Sequence, residues 1–99
     1  MRLIDLAFSR SSDKGNHCDL SLIAYDEEKY RVLVEKLTKQ ALIDYFSPLG
    51  PSRIDLFRLD NLSALKIVLY DVLDGGAANS IKADTQGKSL SGALLRMEI

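Results

Sequence analysis

The chain of 99 residues has one cysteine, two prolines and no tryptophan. The single cysteine, Cys18, excludes an intramolecular disulfide and any CxxC pair. The sequence therefore supports neither a secreted disulfide scaffold nor a structural zinc site. This cysteine usage favours the cytoplasm, and we expect a cytoplasmic protein that carries no metal ion and no cofactor.

A strong charge of either sign is also lacking. The chain has 13 basic and 14 acidic residues, a formal net charge of −1, and its lysines and arginines do not cluster along the sequence. Proteins that bind nucleic acid need a positive surface that follows the phosphate backbone. The composition thus predicts no nucleic-acid partner.

Long apolar runs are absent as well. A membrane helix needs about 20 apolar residues, and no stretch of the chain approaches that length. The first apolar run is interrupted by Asp5 and ends at Ser9, which makes it too short for a signal sequence. With 46% hydrophobic and 27% charged residues, the chain has the composition of a globular protein, and its length suits one domain over residues 1–99.

In the first half of the chain, alternating apolar residues predict one strand over residues 2–8 and another over residues 20–24. The polar segment 9–18 between them predicts a loop much longer than a hairpin turn. An acidic first turn and an apolar stripe predict a helix over residues 26–37. Thr38 is a candidate cap at which this helix restarts over residues 39–46.

In the second half, the pattern predicts a strand over residues 52–59 and a helix over residues 61–73 that ends at a glycine pair. The run from Ile67 to Tyr70 is equally compatible with a buried strand, and the length of the segment favours the helix. A strand over residues 77–84 and a helix around residues 90–97 complete the order β-β-α-β-α-β-α.

This order predicts an α+β, ferredoxin-like two-layer sandwich, in which helices cover one face of a four-stranded sheet. The apolar positions of the strands and helices predict the core, which comprises Leu6, Phe8, Leu22, Leu33, Leu37, Leu65 and Leu69. The predicted helix over residues 61–73 has further apolar residues outside its core stripe. A helix that is apolar nearly all round is covered by other elements or by another chain, so we expect the protein to self-associate.

The polar segment 9–18 is the first candidate site. Backbone N–H groups of such a loop, together with two basic side chains, could bind a carboxylate or a phosphate. The residues concerned are Arg10, Ser11, Ser12, Asp13, Lys14, Gly15 and Asn16. The spacing is not that of a GxxxxGK[ST] phosphate loop. The alternative is a solvated loop without a ligand, in which Asp13 pairs with Lys14 or Arg10.

His17 and Cys18 are the only other side chains here with nucleophile or metal chemistry. Consecutive residues of a strand point to opposite faces, so these two side chains cannot form a nucleophile and base pair. The simpler interpretation of Cys18 is a small buried apolar residue. No carboxylate stands at a spacing that would complete a metal site with them.

A second polar segment follows the predicted helix and has glycines that let a ligand approach the backbone closely. Its candidate anion-binding residues are Gly75, Gly76, Asn79 and Ser80. The alternative is that Gly75 only terminates the helix, as the left-handed residue after its last turn.

Several short motifs recur in the order found in one known family. They are the segment from Arg10 to Asn16, Asn61-Leu62, Gly75-Gly76 with Ser80, Asp84-Thr85-Gln86-Gly87-Lys88 and Ala93-Leu94-Leu95. Together they resemble the small C-terminal domain of the acyclic terpene utilisation (AtuA-like) proteins over nearly the whole chain. That family has Arg-Ser-Gly-Asp-Lys-Gly and Asn-Ile-Gly, whereas this chain has Ser12 in place of the glycine and Asp19-Leu20-Ser21 in place of Asn-Ile-Gly.

The resemblance implies a ferredoxin-like fold and a link to the catabolism of acyclic terpenes through CoA thioesters. It also implies a larger AtuA-like partner protein. We expect an accessory module that binds an anionic group, a carboxylate or a CoA thioester, or completes the site of that partner. The alternatives are a small lyase or hydratase that uses Asp13 and Lys14 as acid and base, and a structural self-associating domain without a ligand.

Overall fold

The computed structural model describes residues 1–14, 17–72 and 87–99. Four strands form its centre: β1 (Ala7–Lys14), β2 (His17–Ala24), β3 (Arg53–Leu59) and β4 (Ala64–Tyr70). The described helices are α1 (Glu27–Lys36), α2 (Lys39–Tyr45) and α3 (Gly87–Leu95). Short 3₁₀ turns occupy Leu3–Asp5, Ser47–Leu49 and Asp60–Leu62.

The strands form one antiparallel sheet in the order β1-β2-β4-β3. Strands β2 and β3 run in the same direction with β4 between them, which is the split β-α-β arrangement of ferredoxin-like folds. Helix α1 packs on β2, α2 on β3 and α3 on β1, all on one side of the sheet. The predicted fold class, a ferredoxin-like α+β sandwich, is confirmed.

Local signals explain the first two helices. The side chain of Asp26 accepts a hydrogen bond from the Lys29 amide at 2.8 Å and so caps the start of α1. Thr38 caps α2 in the same way, because its hydroxyl accepts from the Ala41 amide at 3.1 Å. Both helices therefore begin where the sequence predicts.

The core lies between the helices and the covered face of the sheet. It contains all the predicted residues except one: Leu6, Leu22, Leu33, Leu37, Leu65 and Leu69 are buried. The prediction for Phe8 is wrong, since 40% of this residue is exposed. The chain makes a 3₁₀ turn before β1, so Leu6 and Phe8 do not share the face of one strand. The predicted burial of Cys18 is confirmed at 0% exposure.

The prediction of a long loop over residues 9–18 is wrong. Strand β1 continues to Lys14, which pairs with His17 at the start of β2, so two residues are left for the connection. Polar residues extend along the strands here because one face of the hairpin is not covered by a described helix. Polar side chains are therefore acceptable at every second position, and on the covered face the Ser9 hydroxyl accepts a hydrogen bond from the Ser91 hydroxyl of α3 at 2.7 Å.

The predicted helix over residues 61–73 is also wrong, because residues 64–70 form the central strand β4. The order of the described elements is accordingly β-β-α-α-β-β-α. Ala64 and Ile67 are buried within the sheet, which removes the apolar helix surface as a reason for self-association. The predicted strand over residues 77–84 lies outside the described residues, whereas the last helix is present as α3.

Alanine substitutions at two glycines should change the stability of the protein in opposite directions. Gly50 has φ of +60°, and a Cβ atom there would meet nothing within 4 Å. The left-handed conformation alone should therefore make Gly50→Ala lower the free energy of unfolding by about 1 kcal/mol. Gly92 lies inside α3, and a Cβ atom added there would have the Arg96 Nη1 atom as its nearest neighbour, at 3.6 Å. Gly92→Ala should raise the free energy of unfolding by about 0.5–1 kcal/mol. Urea denaturation measures both changes in the free energy of unfolding. Changes of the same sign would contradict the backbone conformations assigned to Gly50 and Gly92.

Candidate functional site

The face of the sheet opposite the helices carries the candidate site, and we call it the open face. The strand register arranges its side chains in four rows that run across β1, β2, β4 and β3. The first row is Phe8, Ile23, Ala64 and Leu59, and the second is Arg10, Ser21, Lys66 and Phe57. The third row is Ser12, Asp19, Val68 and Asp55, and the fourth is His17, Tyr70 and Arg53.

The rows differ in chemistry. The first is entirely apolar, whereas the other three combine charged, polar and aromatic residues. Among the side chains that the structure describes, three of the 13 basic residues of the chain and two of its 14 acidic residues occupy this face. The described part of the open face therefore carries a small net positive charge, although the chain as a whole carries a net charge of −1.

A cavity of about 570 Å³ lies over strands β2, β4 and β3 on this face. Its apolar lining is provided by Phe57, Leu59, Val68 and the ring of Tyr70. Its polar lining includes His17, Asp19 and Lys66. The arrangement combines an apolar wall with a cation, which suits a ligand that carries an anionic group on an apolar body.

The two carboxylates of the open face have cationic partners. Asp19 Oδ2 lies 3.1 Å from Lys66 Nζ across the β2–β4 pair. Asp55 Oδ2 lies 2.8 Å from Arg53 Nη2 and accepts a hydrogen bond from the Tyr70 hydroxyl at 2.9 Å. Lys66 has three N–H donors, so its pair with Asp19 leaves donors for a ligand.

The hydrogen bonds from Arg53 and then from Tyr70 lower the pKa of Asp55 below its ordinary value. The same bond to Asp55, followed by burial, raises the pKa of Tyr70. Asp55 is thus held as a carboxylate and Tyr70 as a neutral phenol. The Arg53 guanidinium carbon also lies 4.9 Å from the centre of the Tyr70 ring, which adds a cation–π contact.

This pairing predicts a loss of stability in acid. The folded pKa of Asp55 is below the unfolded value of about 3.8. Its ionised form therefore stabilises the fold above about pH 4, and this contribution disappears as the pH falls further. Urea denaturation between pH 6 and pH 2.5 should give a steeper acid loss for the wild type than for Asp55→Asn. Glu35→Gln, an exposed change on α1, is the control and should follow the wild type; equal slopes for Asp55→Asn would contradict the pairing.

His17 occupies the polar end of the cavity. Its ring meets Tyr70 edge-on, with 4.6 Å between the ring centres. Its Nδ1 atom is buried and has no hydrogen-bond partner among the residues that the structure describes. Cys18 lies on the covered face, as strand alternation predicts for consecutive residues. Among the residues described, no group of three potential ligands is arranged to hold a metal ion.

The structure separates the sequence-predicted site residues. Arg10 and Ser12 lie on the open face, whereas Ser11 is paired with Leu20 on the covered face. Asp13 and Lys14 are consecutive positions of β1, so they belong to opposite faces. Residues 9–14 of this segment belong to a strand, whereas its tip, where backbone N–H groups could form the predicted nest, lies outside the described residues. The remaining predicted residues, Gly15, Asn16, Gly75, Gly76, Asn79 and Ser80, lie outside the described part of the chain.

The sequence prediction missed the residues of the cavity on β3 and β4. Lys66, Val68 and Tyr70 alternate with the buried residues Leu65, Ile67 and Leu69. That period of two was the signal that could have found them. The length of the segment and the glycine pair after it favour a helix instead, and these two signals outweigh the period of two.

Fold and surface together define a small α+β domain with a helix-covered antiparallel sheet and an open, positively charged sheet face. The family model of the AtuA ferredoxin-like domain matches residues 1–99, and the chain belongs to that family. Searches of the curated proteins and of the solved structures gave no match. No helix in the described part of the chain is long and apolar enough to cross a membrane.

Proposed function

We propose that this chain is an accessory binding module whose open face binds the anionic group of an apolar ligand, a carboxylate or a CoA thioester. The observation that carries this proposal is the cavity of about 570 Å³, in which Lys66 lies beside apolar and aromatic side chains. Its family suggests the context, the catabolism of acyclic terpenes together with a larger AtuA-like partner protein.

The second row provides the anion site. Arg10, Ser21 and Lys66 are neighbours across three adjacent strands, so two cations flank a hydroxyl group. The two cationic residues are about 10 Å apart at their Cα positions, twice the spacing of strands. Both long side chains can reach an anion that lies above Ser21.

The charges of these residues favour the same site. Arg10 is exposed and has no ion pair within the described structure, so binding an anion requires no existing pair to break. Charge-assisted hydrogen bonds to a carboxylate or phosphate are about twice as strong as those between neutral groups. The pair between Lys66 and Asp19 orients the lysine towards the middle of the sheet.

The apolar part of the ligand fits beside the anion. Phe57 continues the second row on β3, and Val68 and Leu59 lie next to it in the cavity lining. Each methylene group that leaves water for such a surface contributes about 0.8 kcal/mol. The site thus favours an acid with a sizeable apolar group over a small anion.

The alternative of a lyase or hydratase gains no support from β1. Its proposed acid and base, Asp13 and Lys14, are adjacent positions of a strand. Such positions point to opposite faces of the sheet. We therefore propose binding and not catalysis as the role of the chain by itself.

Thermal unfolding with a panel of ligands tests this function. The panel contains phosphate, acetate, medium-chain and branched carboxylic acids, CoA and CoA thioesters. A ligand that binds only the native state, at a hundredfold excess over its Kd, stabilises by about 2.7 kcal/mol. For a domain of this size we expect the Tm to rise by about 10 °C. If no ligand of the panel changes the Tm of the wild type, the proposed function is wrong.

A further inference from the structure

The proposed anion site contains a carboxylate of the protein itself. Asp19 lines the cavity with a side chain that is only 13% exposed, and its Oδ2 atom lies 3.1 Å from Lys66 Nζ. A negative group beside the cation that binds the ligand repels every anion, and it repels a doubly charged anion most. We propose that Asp19 restricts the site to ligands with a single negative charge, a carboxylic acid and not a phosphate ester such as CoA. This inference rests on the proposed function and narrows its ligand class.

The charged groups around the anion position add up to one positive charge. Arg10 and Lys66 provide two positive charges, and Asp19 provides one negative charge. The remaining charged side chains described along the cavity and on β3 form ion pairs of their own, Arg53 with Asp55 and Arg58 with Asp60. A carboxylate therefore neutralises the site. A phosphate with two charges leaves one negative charge without a partner beside apolar side chains, which is unfavourable.

The surroundings of Asp19 hold its carboxylate in place. Asp19 lies in the interior strand β2, where its neighbours across the sheet are Ser12 on β1 and Val68 on β4. An exposed acidic side chain could rotate away from an approaching anion, whereas this one is mostly buried and is held by Lys66. The negative charge therefore stays at the site while a ligand binds.

The shape of the ammonium group sets the distance between this carboxylate and a bound anion. The three N–H donors of a lysine diverge at about the tetrahedral angle. With Asp19 on one donor at 3.1 Å, a ligand oxygen on the next donor, about 2.8 Å from Nζ, lies about 5 Å from Oδ2. At about 5 Å the repulsion of two like charges weakens binding about fourfold in the dielectric constant of water, and more strongly where burial lowers it.

The repulsion grows in proportion to the charge of the ligand. A ligand with two negative charges is opposed twice as strongly in free energy as one with a single charge. The factor by which Asp19 weakens the binding of a dianion is therefore about the square of the factor for a monoanion. Two ligands of the same shape but different charge measure this effect directly, because their apolar contacts are equal and cancel in the ratio of their Kd values.

Octyl sulfate and octyl phosphate are suitable probes. Both have a tetrahedral head group on the same alkyl chain, and at pH 8 the sulfate has one negative charge and the phosphate nearly two, since the second pKa of a phosphate ester is about 6. Octanoate, which is also singly charged, represents the carboxylic acids. Isothermal titration calorimetry of the wild type should show binding of octanoate and a lower Kd for octyl sulfate than for octyl phosphate. Failure of octanoate to bind, or equal or tighter binding of octyl phosphate, would overturn the inference.

Asparagine in place of Asp19 removes the charge but keeps an oxygen that can accept a hydrogen bond from Lys66. Asp19→Asn should lower the Kd of octyl phosphate at least threefold more than that of octyl sulfate. Asp19→Glu retains the carboxylate and should retain the wild-type preference. Glu35→Gln is the control for net charge: it removes an exposed acidic side chain from α1, on the helical side, and should leave the Kd of both probes unchanged.

A purely structural role of Asp19 predicts a different result. If Asp19 only orients Lys66, Asp19→Asn changes the Kd of both probes by the same factor, and this outcome would contradict the inference. The stability of the variant does not affect the comparison, because both probes are measured on the same folded protein. Should Asp19→Asn fail to fold, Asp19→Ser removes the same charge with a smaller side chain and takes its place.

The outcomes distinguish this inference from the proposed function. If none of the three probes binds the wild type, the proposed function is wrong and the inference fails with it. If the probes bind but the ratio of their Kd values is the same in the wild type and in Asp19→Asn, only the inference is wrong. A preference for a single charge that disappears with the charge of Asp19 supports both.

Discussion

Alanine in place of Leu37 is expected to lower the free energy of unfolding by about 2 to 5 kcal/mol. Leu37 is the C-cap residue directly after α1 and is 2% exposed, and its amide donates to the Leu33 carbonyl at 2.8 Å. The described core is a single layer between the helices and the sheet, so neighbouring side chains cannot easily fill the space. Since whole domains are stable by about 5–15 kcal/mol, the loss is a large share of the total.

Urea denaturation at equilibrium measures this effect. Leu62→Ala is the matched control, because Leu62 is 61% exposed and lies in the 3₁₀ turn before β4. Its substitution should change the stability by no more than about 0.5 kcal/mol. A cost below about 1 kcal/mol for Leu37→Ala would exclude this residue from the core.

Replacing Lys66 with methionine is expected to weaken the binding of an apolar carboxylate by about tenfold to a hundredfold. Methionine keeps an apolar stem in the cavity but removes the charge. Hydrogen bonds to charged groups contribute about 1.5–3 kcal/mol, and each 1.4 kcal/mol is a factor of ten in Kd. Most of the rise in Tm caused by the ligand should disappear in this variant.

Two controls show whether the charge itself is responsible. Lys36→Met removes an exposed lysine from the last turn of α1, on the helical side, and should leave the Kd unchanged. The double variant Lys66→Met/Asp19→Asn removes both partners of the pair at 3.1 Å, so no carboxylate remains alone. We expect this double variant to bind the carboxylate more weakly than the wild type does. Recovery of wild-type affinity would mean that the unpaired Asp19, and not the missing lysine, reduced binding.

Salt provides a further measure of the same interaction. The Debye length is about 10 Å at 0.1 M and about 3 Å at 1 M ionic strength. An anion held only by the exposed Arg10 should be released at 1 M salt. An anion held in the cavity beside Lys66 should weaken only partly, since its apolar contacts do not depend on ionic strength.

The helices could be predicted from the sequence because their signals are local. Asp26 and Thr38 cap α1 and α2 through bonds to amides three residues further on. The positions of Leu33 and Leu37 on the buried side follow from the period of the helix. Such features depend on residues that are close together in the chain, and the sequence therefore determines them directly.

The β1–β2 hairpin was predicted incorrectly because half of its side chains lie on the open face. Arg10 and Ser12 alternate with Ser9 and Ser11, so β1 has no apolar period to identify it. What makes these residues a strand is the partner β2, whose alternating buried residues reach the core. Pairing with a neighbour, and not the propensity of β1 itself, decided this element.

The same reason explains β4 and the candidate site. The run from Ile67 to Tyr70 is apolar enough for a helix or a strand, and its place between β2 and β3 selects the strand. That place also puts Lys66 beside Ser21 and opposite Phe57, although these residues are far apart in the sequence. Composition, helix caps and family membership could be determined from the sequence alone. Only the tertiary structure decided the rows of the open face, because strand pairing depends on contacts between distant segments.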